Sequence, residues 1–291
     1  MIDLDIPAKF APLIEQARAL AEEVFRPISR RYDLAEHEYP RELDLISAVI
    51  DGMSSSGASQ GAGAASSTRG APGEQVRNGA NLSSALSILE TCRGDVGLTL
   101  SIPRQGLGNA AIAAVATPQQ RARYGNRWAA MAITEPDTGS DSGAIRTTAV
   151  RDGEHYILNG EKIFVTAGER AELIVVWATL DRARGKQAIK SFVVERSNPG
   201  LKLVRLEHKL GIRSSDTAAF HLDNCRVPAQ DLLGDPEISS TGGFGGAMQT
   251  FDNTRPLVAA MACGLARACL DTTTELVAAE GITVDWDRPA Q

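Results

Sequence analysis

The chain has 291 residues, of which 43% are hydrophobic and 23% are charged, and 30 Lys and Arg against 36 Asp and Glu give a net charge of −6. This apolar content is enough for packed cores, which excludes disorder of the whole chain. The mildly acidic balance argues against nucleic acid as a partner, because phosphate binding needs clustered Lys and Arg. No apolar run approaches the roughly 18 residues of a membrane-spanning helix, so no membrane span is predicted.

The N-terminal segment and the cysteines indicate the compartment. Residues 1–7 include acids and lack the basic and apolar regions of a secretory signal. The cysteines are scattered without a Cys-x-x-Cys motif, at Cys92, Cys225, Cys263 and Cys269. We interpret them as reduced thiols, and we predict a cytoplasmic protein without a disulfide framework or a zinc site.

Helical periodicity runs from Phe10 to about Gly125. The first apolar stripe at helical spacing consists of Phe10, Leu13, Ile14, Ala17, Ala21, Val24 and Ile28. Pro40 suits the first turn of a second helix. Thr117-Pro118-Gln119-Gln120 predicts a capping box that opens a further helix. Residues 1–127 are therefore predicted to form an N-terminal all-α domain.

One stretch interrupts this helical pattern. Residues 51–80 contain 7 Gly, 6 Ser and 6 Ala, which leaves almost nothing large to bury. Such a composition is typical of a flexible connection. Its glycines do not follow a predicted strand, which argues against a phosphate-binding loop.

Between residues 128 and 240 the apolar period falls to two, which predicts β-strands. Asn159-Gly160 separates two alternating runs and is predicted to form the type I′ turn of a hairpin. Further strands are predicted at 173–180, 190–195, 201–206 and 218–222. Several short strands with turn residues between them are typical of a sandwich or barrel, so we predict a middle antiparallel β-barrel domain.

Helical character returns after Gly242. The run from Pro256 to Leu270 is apolar nearly all round, which indicates a helix buried on more than one side. Because such a helix needs facing helices to cover it, residues 241–291 are predicted to be the start of a truncated C-terminal helical bundle. The predicted fold class is therefore α+β multidomain, without the strand–helix alternation of a Rossmann fold.

The sequence contains no motif that is typical of a hydrolase or of a metal site. The histidines have no metal-ligand spacing; they are His37, His155, His208 and His221. Neither Gly-x-Ser-x-Gly nor His-Glu-x-x-His occurs. We therefore predict no metal site.

The most specific segment is Met131-Ala-Ile-Thr-Glu-Pro-Asp-Thr-Gly-Ser-Asp141. A predicted strand ends at Thr134 and runs into a turn in which Gly139 permits close backbone approach. Thr134, Ser140 and free N–H groups offer donors to an anionic or carbonyl-rich ligand. Taken alone, the segment is most simply an ordinary turn after a strand.

Three more motifs follow in order: Phe164-Val-Thr166, Lys209-Leu-Gly-Ile-Arg-Ser-Ser-Asp-Thr217 and Phe251-Asp-Asn-Thr-Arg-Pro256. Together the four motifs resemble the acyl-CoA dehydrogenase family of flavoproteins. The resemblance covers essentially the whole chain and is strongest from Met131 to Leu270. It implies a three-domain fold of helices, β domain and helices, in the order that periodicity predicts.

The resemblance implies FAD as cofactor and an acyl-CoA as substrate. The implied cofactor contacts are Met131, Ile133, Thr134, Gly139, Ser140, Phe164 and Thr166. The implied substrate contacts are Ser140, Asp252 and Arg255. Asp252 and Arg255 also have simpler interpretations, as a charge that favours a helix N-terminus and as an ion-pair partner. Two positions depart from the family pattern, since Thr138 stands where a smaller residue is usual and Phe164 replaces a common tryptophan.

The implied reaction is α,β-dehydrogenation of the thioester to the trans-2-enoyl-CoA, in fatty acid metabolism, with electrons passed to an electron-transferring flavoprotein. A carboxylate must remove the α proton. Thr254 occupies one of the two positions that the family uses for this base, and the other is expected beyond Gln291, so no catalytic residue is assigned. The family also implies a homo- or hetero-oligomer, a dimer of dimers.

Three interpretations of the missing base stay open. We favour a fragment of a complete acyl-CoA dehydrogenase. The second is a truncated, non-catalytic subunit that binds flavin or a partner chain supplying the base. The third is an acyl-CoA oxidase or flavin monooxygenase of the same fold, which is disfavoured because Asp252 and Arg255 fit CoA contact better than a phenolic substrate.

Overall fold

The computed structural model describes residues 6–54, 80–238 and 244–282. Helices, then strands, then one long helix follow one another along the chain, as expected from the sequence. The helices that precede the strands are α1 (Ala11–Ala19), α2 (Arg26–Leu34), α3 (Glu42–Ser54), α4 (Ala80–Gly94), α5 (Val96–Leu100), α6 (Leu107–Val115) and α7 (Pro118–Tyr124). The predicted flexible segment 51–80 begins inside α3, and its residues 55–79 lie outside the described ranges. The domain boundaries at 127/128 and 240/241 stay predictions.

The first predicted helix contains a π-helical turn. α1 passes into this turn at Leu20–Phe25, and α2 follows it directly. The wider turn shifts the apolar stripe by one position, so Phe25 is fully buried where Val24 was expected. Gly94, the last residue of α4, meets the same turn, and a Cβ there would lie 2.6 Å from the Ala21 carbonyl oxygen. Glycine is therefore required for this close approach.

The predicted capping box at the start of α7 is confirmed. Thr117 Oγ1 accepts a hydrogen bond from the Gln120 N–H at 3.2 Å, and Gln120 Oε1 accepts one from the Thr117 N–H at 3.0 Å. The Gln120 side-chain amide also donates to the Leu232 carbonyl at 2.6 Å. The cap thereby ties α7 to the chain that leaves the last strand.

Seven strands form one curled sheet. They are β1 (Ala129–Ala132), β2 (Thr148–Asp152), β3 (His155–Thr166), β4 (Leu173–Thr179), β5 (Ile189–Glu195), β6 (Leu201–Leu206) and β7 (Thr217–Pro228). The hydrogen-bonded order is β1-β4-β2-β3-β7-β6, and β5 also pairs with β4. The prediction of an entirely antiparallel domain is wrong, because β4 pairs in parallel with β1 and, at Thr148 and Thr179, with β2. The long segment between β1 and β4 contains the β2–β3 hairpin, which gives the chain room for a parallel crossover.

The predicted turn at Asn159-Gly160 is also wrong. β3 passes straight through these residues, and the real hairpin turn is Gly153-Glu154, because Asp152 pairs with His155. Gly153 supplies the positive φ of 58° that this two-residue turn needs. At Gly160 the register against β7 shifts, and a Cβ there would lie 2.5 Å from Thr147 Oγ1. This glycine therefore serves close packing inside a strand rather than a turn.

The two faces of the sheet bury different cores. Ile174 and Val176 of β4 point into the curl, together with Phe192 of β5 and Phe220 of β7. The alternate residues of β4 belong to a second cluster on the opposite face, which we call the outer cluster. Its members include Met131, Ile133, Val175 and Trp177 from β1, β4 and the chain that follows β1, and Ile112, Tyr124 and Ala247 from α6, α7 and the last helix, α8 (Gly245–Ala279). The outer cluster thus joins the sheet to the helices.

The last helix, α8, begins at Gly245, in agreement with the predicted return of helical character after Gly242, and contains Pro256 in its interior. It packs on α4, where a Cβ at Gly264 would overlap the Leu89 carbonyl oxygen. Its other side is exposed, with the large apolar residues Val258, Leu265, Leu270 and Leu276. The expected burial on more than one side is therefore not seen within the described residues. None of the described helices is long and apolar enough to cross a membrane.

Candidate functional site

The site begins where β1 ends. After Ala132 the chain turns back on itself, because the Glu135 N–H donates to the Thr138 carbonyl at 3.0 Å and the Thr138 N–H donates to the Glu135 carbonyl at 3.1 Å. Thr138 is buried, and its hydroxyl lies 3.4 Å from Glu135 Oε2. The larger residue at position 138 is thus accommodated inside the turn and does not protrude from it. We call residues 133–141 the site loop.

The Glu135 carboxylate anchors the site loop to the sheet. Oε2 accepts the Arg146 N–H at 2.6 Å, and Oε1 accepts the Thr147 N–H at 2.9 Å and lies 2.7 Å from Lys162 Nζ. Burial alone would raise the pKa of this carboxyl group. The charge of Lys162 and the hydrogen bonds outweigh burial and hold the pKa below its ordinary value. Glu135 is therefore an ionised, buried anchor.

Lys162 is the fully buried partner on β3. Its ammonium group donates to Glu135 and also to the Ile133 carbonyl at 3.1 Å. Burial lowers the pKa of Lys162 to about 8, against the opposing effect of Glu135, so the ammonium is charged at neutral pH. Next to it, the Ile163 N–H donates to the Thr134 carbonyl at 2.9 Å. The site loop and β3 are thus joined at adjacent residues.

Sequence reasoning missed the Glu135–Lys162 pair. The available signal was the alternation of β3, in which Tyr156 and Leu158 point inward and Lys162 falls on the same face. A lysine at an inward position needs a buried acid as its partner. Glu135, which follows the apolar run of β1, is such an acid.

Phe164 lies on a bulge of β3. Between Lys162 and Val165 the register against β7 shifts, and Phe164 adopts a left-handed backbone with φ 57°. Its ring is 60% exposed, whereas Val165 is buried and Thr166 is half-buried. Bulges redirect a side chain out of the regular alternation. The structure therefore holds an aromatic ring at the surface beside the site loop, at the cost of local backbone strain.

The site loop leaves room and donors for a ligand. Gly139 and Ser140 are exposed, and a Cβ built at Gly139 meets no atom within 4 Å. The Thr134 N–H donates to no atom of the described residues. An open loop, a free N–H and an exposed ring fit a flat ligand with polar edges, as the isoalloxazine of FAD is.

Asp252 and Arg255 lie together on α8. Arg255 Nη1 is 3.5 Å from Asp252 Oδ1, the Arg255 and Asp252 side chains are 64% and 73% exposed, and the guanidinium lies over the Phe251 ring. Such an exposed pair contributes little to stability, so both groups can exchange partners for a ligand. Phe251 packs on the outer cluster that contains Met131 and Ile133. The structure thus groups 131–140 with 164–166, and links Asp252 and Arg255 to them only through this cluster.

Thr254 points into the protein. It is buried, and its hydroxyl donates to the Thr250 carbonyl at 2.9 Å. This geometry holds the hydroxyl inside the helix, and a threonine hydroxyl has no basicity at neutral pH.

Within the described parts of the chain, one group of possible metal ligands lies close together: Glu36, His37 and His208, with ligand atoms within 4.8 Å. Glu36 already pairs with His208 Nδ1 at 2.9 Å and Arg213 at 3.3 Å, and it accepts the Lys209 N–H at 2.8 Å. These donors occupy the carboxylate and bring positive charge to it. We interpret the group as an ionic junction between the end of α2 and the β6–β7 connection.

Comparisons with known proteins identify the family of this chain. The family model described as acyl-CoA dehydrogenase, middle domain, matches residues 130–225, and that for the C-terminal domain matches residues 241–281. A chain from a structure described as that of the electron transferring flavoprotein of Acidaminococcus fermentans is 30% identical, with a TM-score of 0.75 over 94% of this chain and 69% of that chain. This chain belongs to the acyl-CoA dehydrogenase family.

Individual relatives of this family member share its fold and part of its sequence. Butyryl-CoA dehydrogenase from Megasphaera elsdenii has a TM-score of 0.79 at 26% identity, over 99% of this chain and 73% of that one. A glutaryl-CoA dehydrogenase from Mycobacterium smegmatis, solved in complex with FADH2, has a TM-score of 0.75 at 25% identity, over 98% and 68%.

Two curated relatives match about half of this chain. Cyclohex-1-ene-1-carbonyl-CoA dehydrogenase from Geobacter metallireducens is 40% identical over 53% of this chain and 42% of its own length. The mitochondrial short-chain specific acyl-CoA dehydrogenase from Rattus norvegicus is 43% identical over 50% of this chain and 35% of its own length. The matched part is therefore less than half of each curated relative.

Proposed function

We propose that this chain binds FAD and a short-chain acyl-CoA and serves the α,β-dehydrogenation of the thioester to the trans-2-enoyl-CoA. The observation that carries the proposal is the joined pair of site loop and β3, which presents Thr134, Thr166 and the exposed Phe164 ring together. Family membership supports the choice of FAD. The names of the short-chain and butyryl-CoA relatives support a short acyl chain.

The residues of this chain then have separate tasks. Thr134 and the backbone near Met131 and Ile133 bond one edge of the flavin ring, while Phe164 and Thr166 flank it from β3. Gly139 and Ser140 lie where cofactor and substrate meet, and Asp252 and Arg255 contact the CoA portion, for which a guanidinium fork is well suited. When bound, FAD supplies the hydride acceptor, which no protein side chain provides.

The α proton needs a carboxylate that the site does not contain. Thr254 is not a base, and Asp252 is an exposed partner of Arg255. The proposal therefore assigns the proton abstraction to neither of these residues.

Two variants at position 254 test both parts of the proposal, namely that the chain binds FAD and acyl-CoA and that it lacks a base at this position. The chain is loaded with FAD and mixed anaerobically with butyryl-CoA, and the loss of flavin absorbance is followed. We expect Thr254→Glu to bleach the flavin at least about 100-fold faster than the unmodified chain, since a positioned base contributes about 10²–10⁴-fold. Thr254→Gln, of the same size, should stay at the unmodified rate.

The outcomes separate the two parts. Failure of the unmodified chain to bind FAD would overturn the proposed function. Rapid bleaching by the unmodified chain would instead show that residues 1–291 contain a base of their own.

An electron-transferring flavoprotein is the proposed electron acceptor, and a dimer of dimers the proposed assembly. The similarity to a chain from a structure described as that of an electron transferring flavoprotein supports a link to such proteins. A cytoplasmic location stays part of this proposal. Rapid reoxidation of the reduced flavin by air would instead favour the oxidase alternative.

A further inference from the structure

Two lysines of the sheet are buried, and both donate to backbone carbonyls. Lys162 Nζ lies 3.1 Å from the Ile133 carbonyl oxygen, and Lys190 Nζ lies 2.7 Å from that of Asp235 and 2.6 Å from that of Glu237. Burying an ammonium group costs several kcal/mol unless partners compensate it. Lys162 has a carboxylate partner as well, and its carbonyl acceptor belongs to the site loop.

The peptide group between Ile133 and Thr134 is held from one side only. Its carbonyl accepts from Lys162, while its N–H, which belongs to Thr134, donates to no atom of the described residues. The next peptide is fixed through the Thr134 carbonyl, which accepts from Ile163. These two contacts leave the Thr134 N–H oriented away from the sheet hydrogen bonds.

A cation at a carbonyl strengthens the N–H of the same peptide as a donor. Hydrogen bonds in series polarise one another, and bonds that involve a charged group are about twice as strong as neutral ones. The Glu135–Lys162 pair is neutral overall, but its positive end faces the Ile133 carbonyl. The Thr134 N–H is therefore a polarised donor at the surface of the site loop.

We propose that Lys162 is a positioning residue that orients and polarises the Ile133–Thr134 peptide so that the Thr134 N–H stabilises the reduced flavin more than the oxidised flavin. The inference rests on the proposed function, because it requires FAD beside the site loop. Reduction brings electron density to the ring, and a polarised donor at its edge favours that form. Lys162 thus raises the reduction potential of the bound flavin without contacting it.

The test compares two neutralised lysines in the FAD-loaded chain. Glu135→Gln with Lys162→Met removes both charges of the pair and avoids an unpaired buried carboxylate. Lys190→Met is the matched control, since it removes a buried lysine that donates to carbonyls outside the site. We expect the double variant to bind FAD with a two-electron reduction equilibrium about tenfold less favourable, which is about 30 mV in potential, and the control to be unchanged.

A change in stability alone would not move the potential, which separates positioning from a purely structural role. If the double variant does not fold, Glu135→Gln with Lys162→Gln replaces it, because this pair also removes both charges and keeps a neutral donor at position 162. An unchanged potential in the folded variant, or an equal shift in Lys190→Met, would overturn the inference while leaving the proposed function intact. An unmodified chain that binds no FAD would overturn both.

Discussion

Two buried carboxylates hold different parts of this molecule together by different means. Glu135 in the sheet has one fully buried lysine and a set of backbone and hydroxyl donors. Glu90 in α4 faces three arginines, Arg18, Arg93 and Arg267, whose side chains are 42%, 19% and 49% exposed. The partner of Glu135 is enclosed by protein, whereas the partners of Glu90 are partly exposed to water.

The difference between these anchors concerns what happens when one partner is lost. Removing a member of the enclosed pair leaves an uncompensated buried charge. Removing Glu90 leaves arginines that water can solvate, and Arg93 keeps Asp271 at 2.7 Å. We therefore expect substitution of Glu135 to lower the stability of the protein more than substitution of Glu90.

The largest expected effect is that of Glu135→Gln. The Lys162 ammonium loses its counter-charge while it stays buried, so the free energy of unfolding should fall by about 3–5 kcal/mol. Urea unfolding measures this, with Glu154→Gln at an exposed site as the control. Equal losses in the two variants would show that the enclosed pair carries no special weight.

Gly264→Ala tests how closely the helical region is packed around its own anchor. The added methyl group would overlap the Leu89 carbonyl oxygen and force α8 away from α4, at a cost of about 1–3 kcal/mol. Gly245→Ala, at the open start of the same helix, should cost much less. The thermal unfolding temperatures of both variants test the close approach of α8 to α4. An unchanged unfolding temperature of Gly264→Ala would contradict it.

Glu90→Gln should cost less than Glu135→Gln, about 1–2 kcal/mol, because only hydrogen bonds to partly hydrated arginines are weakened. The same urea experiment ranks the two variants directly. If Glu90→Gln were the more damaging change, the distinction between an enclosed and a hydrated anchor would be wrong.

A third acid, Glu36, gives the smallest effect and a pH signature. His208, Lys209 and Arg213 outweigh burial and lower its pKa from 4.5 to about 2. A carboxyl group with a lowered folded pKa stabilises the protein fully above its unfolded pKa, and this contribution is lost as the pH falls through the folded pKa. The stability difference between the unmodified chain and Glu36→Gln should therefore shrink between pH 4.5 and about 2. A constant difference across that range would contradict the lowered pKa.

Features set by neighbouring residues were predictable from the sequence. The capping box at Thr117 and the strands near 173 and 201 depend on local chemistry and alternation. The turn at Asn159-Gly160 was misplaced because the same dipeptide suits a tight turn and a close contact, and only Thr147 across the sheet decides between them.

The contacts that assemble the site could not be predicted either, because they also join residues that are far apart in the sequence. Glu135 and Lys162 meet through the fold, and Glu36 and His208 are still farther apart in sequence. The proposed flavin contacts came from the family resemblance, which carries no information about the buried Glu135–Lys162 pair. The parallel pairing of β1 with β4 depends on a long crossover that no local pattern encodes.

That parallel pairing also orders the events of folding. The β2–β3 hairpin closes over two residues, whereas pairing β1 with β4 joins Ala129 to Leu173 and costs about 2–3 kcal/mol more in loop-closure entropy. We therefore expect the hairpin to form before β1 pairs with β4, and the site loop, which follows β1, to be placed late. Substitutions in the loop should accordingly speed unfolding while leaving the folding rate nearly unchanged. We therefore expect the site loop to determine how long the native state lasts before it unfolds, and to have little influence on how fast the chain folds.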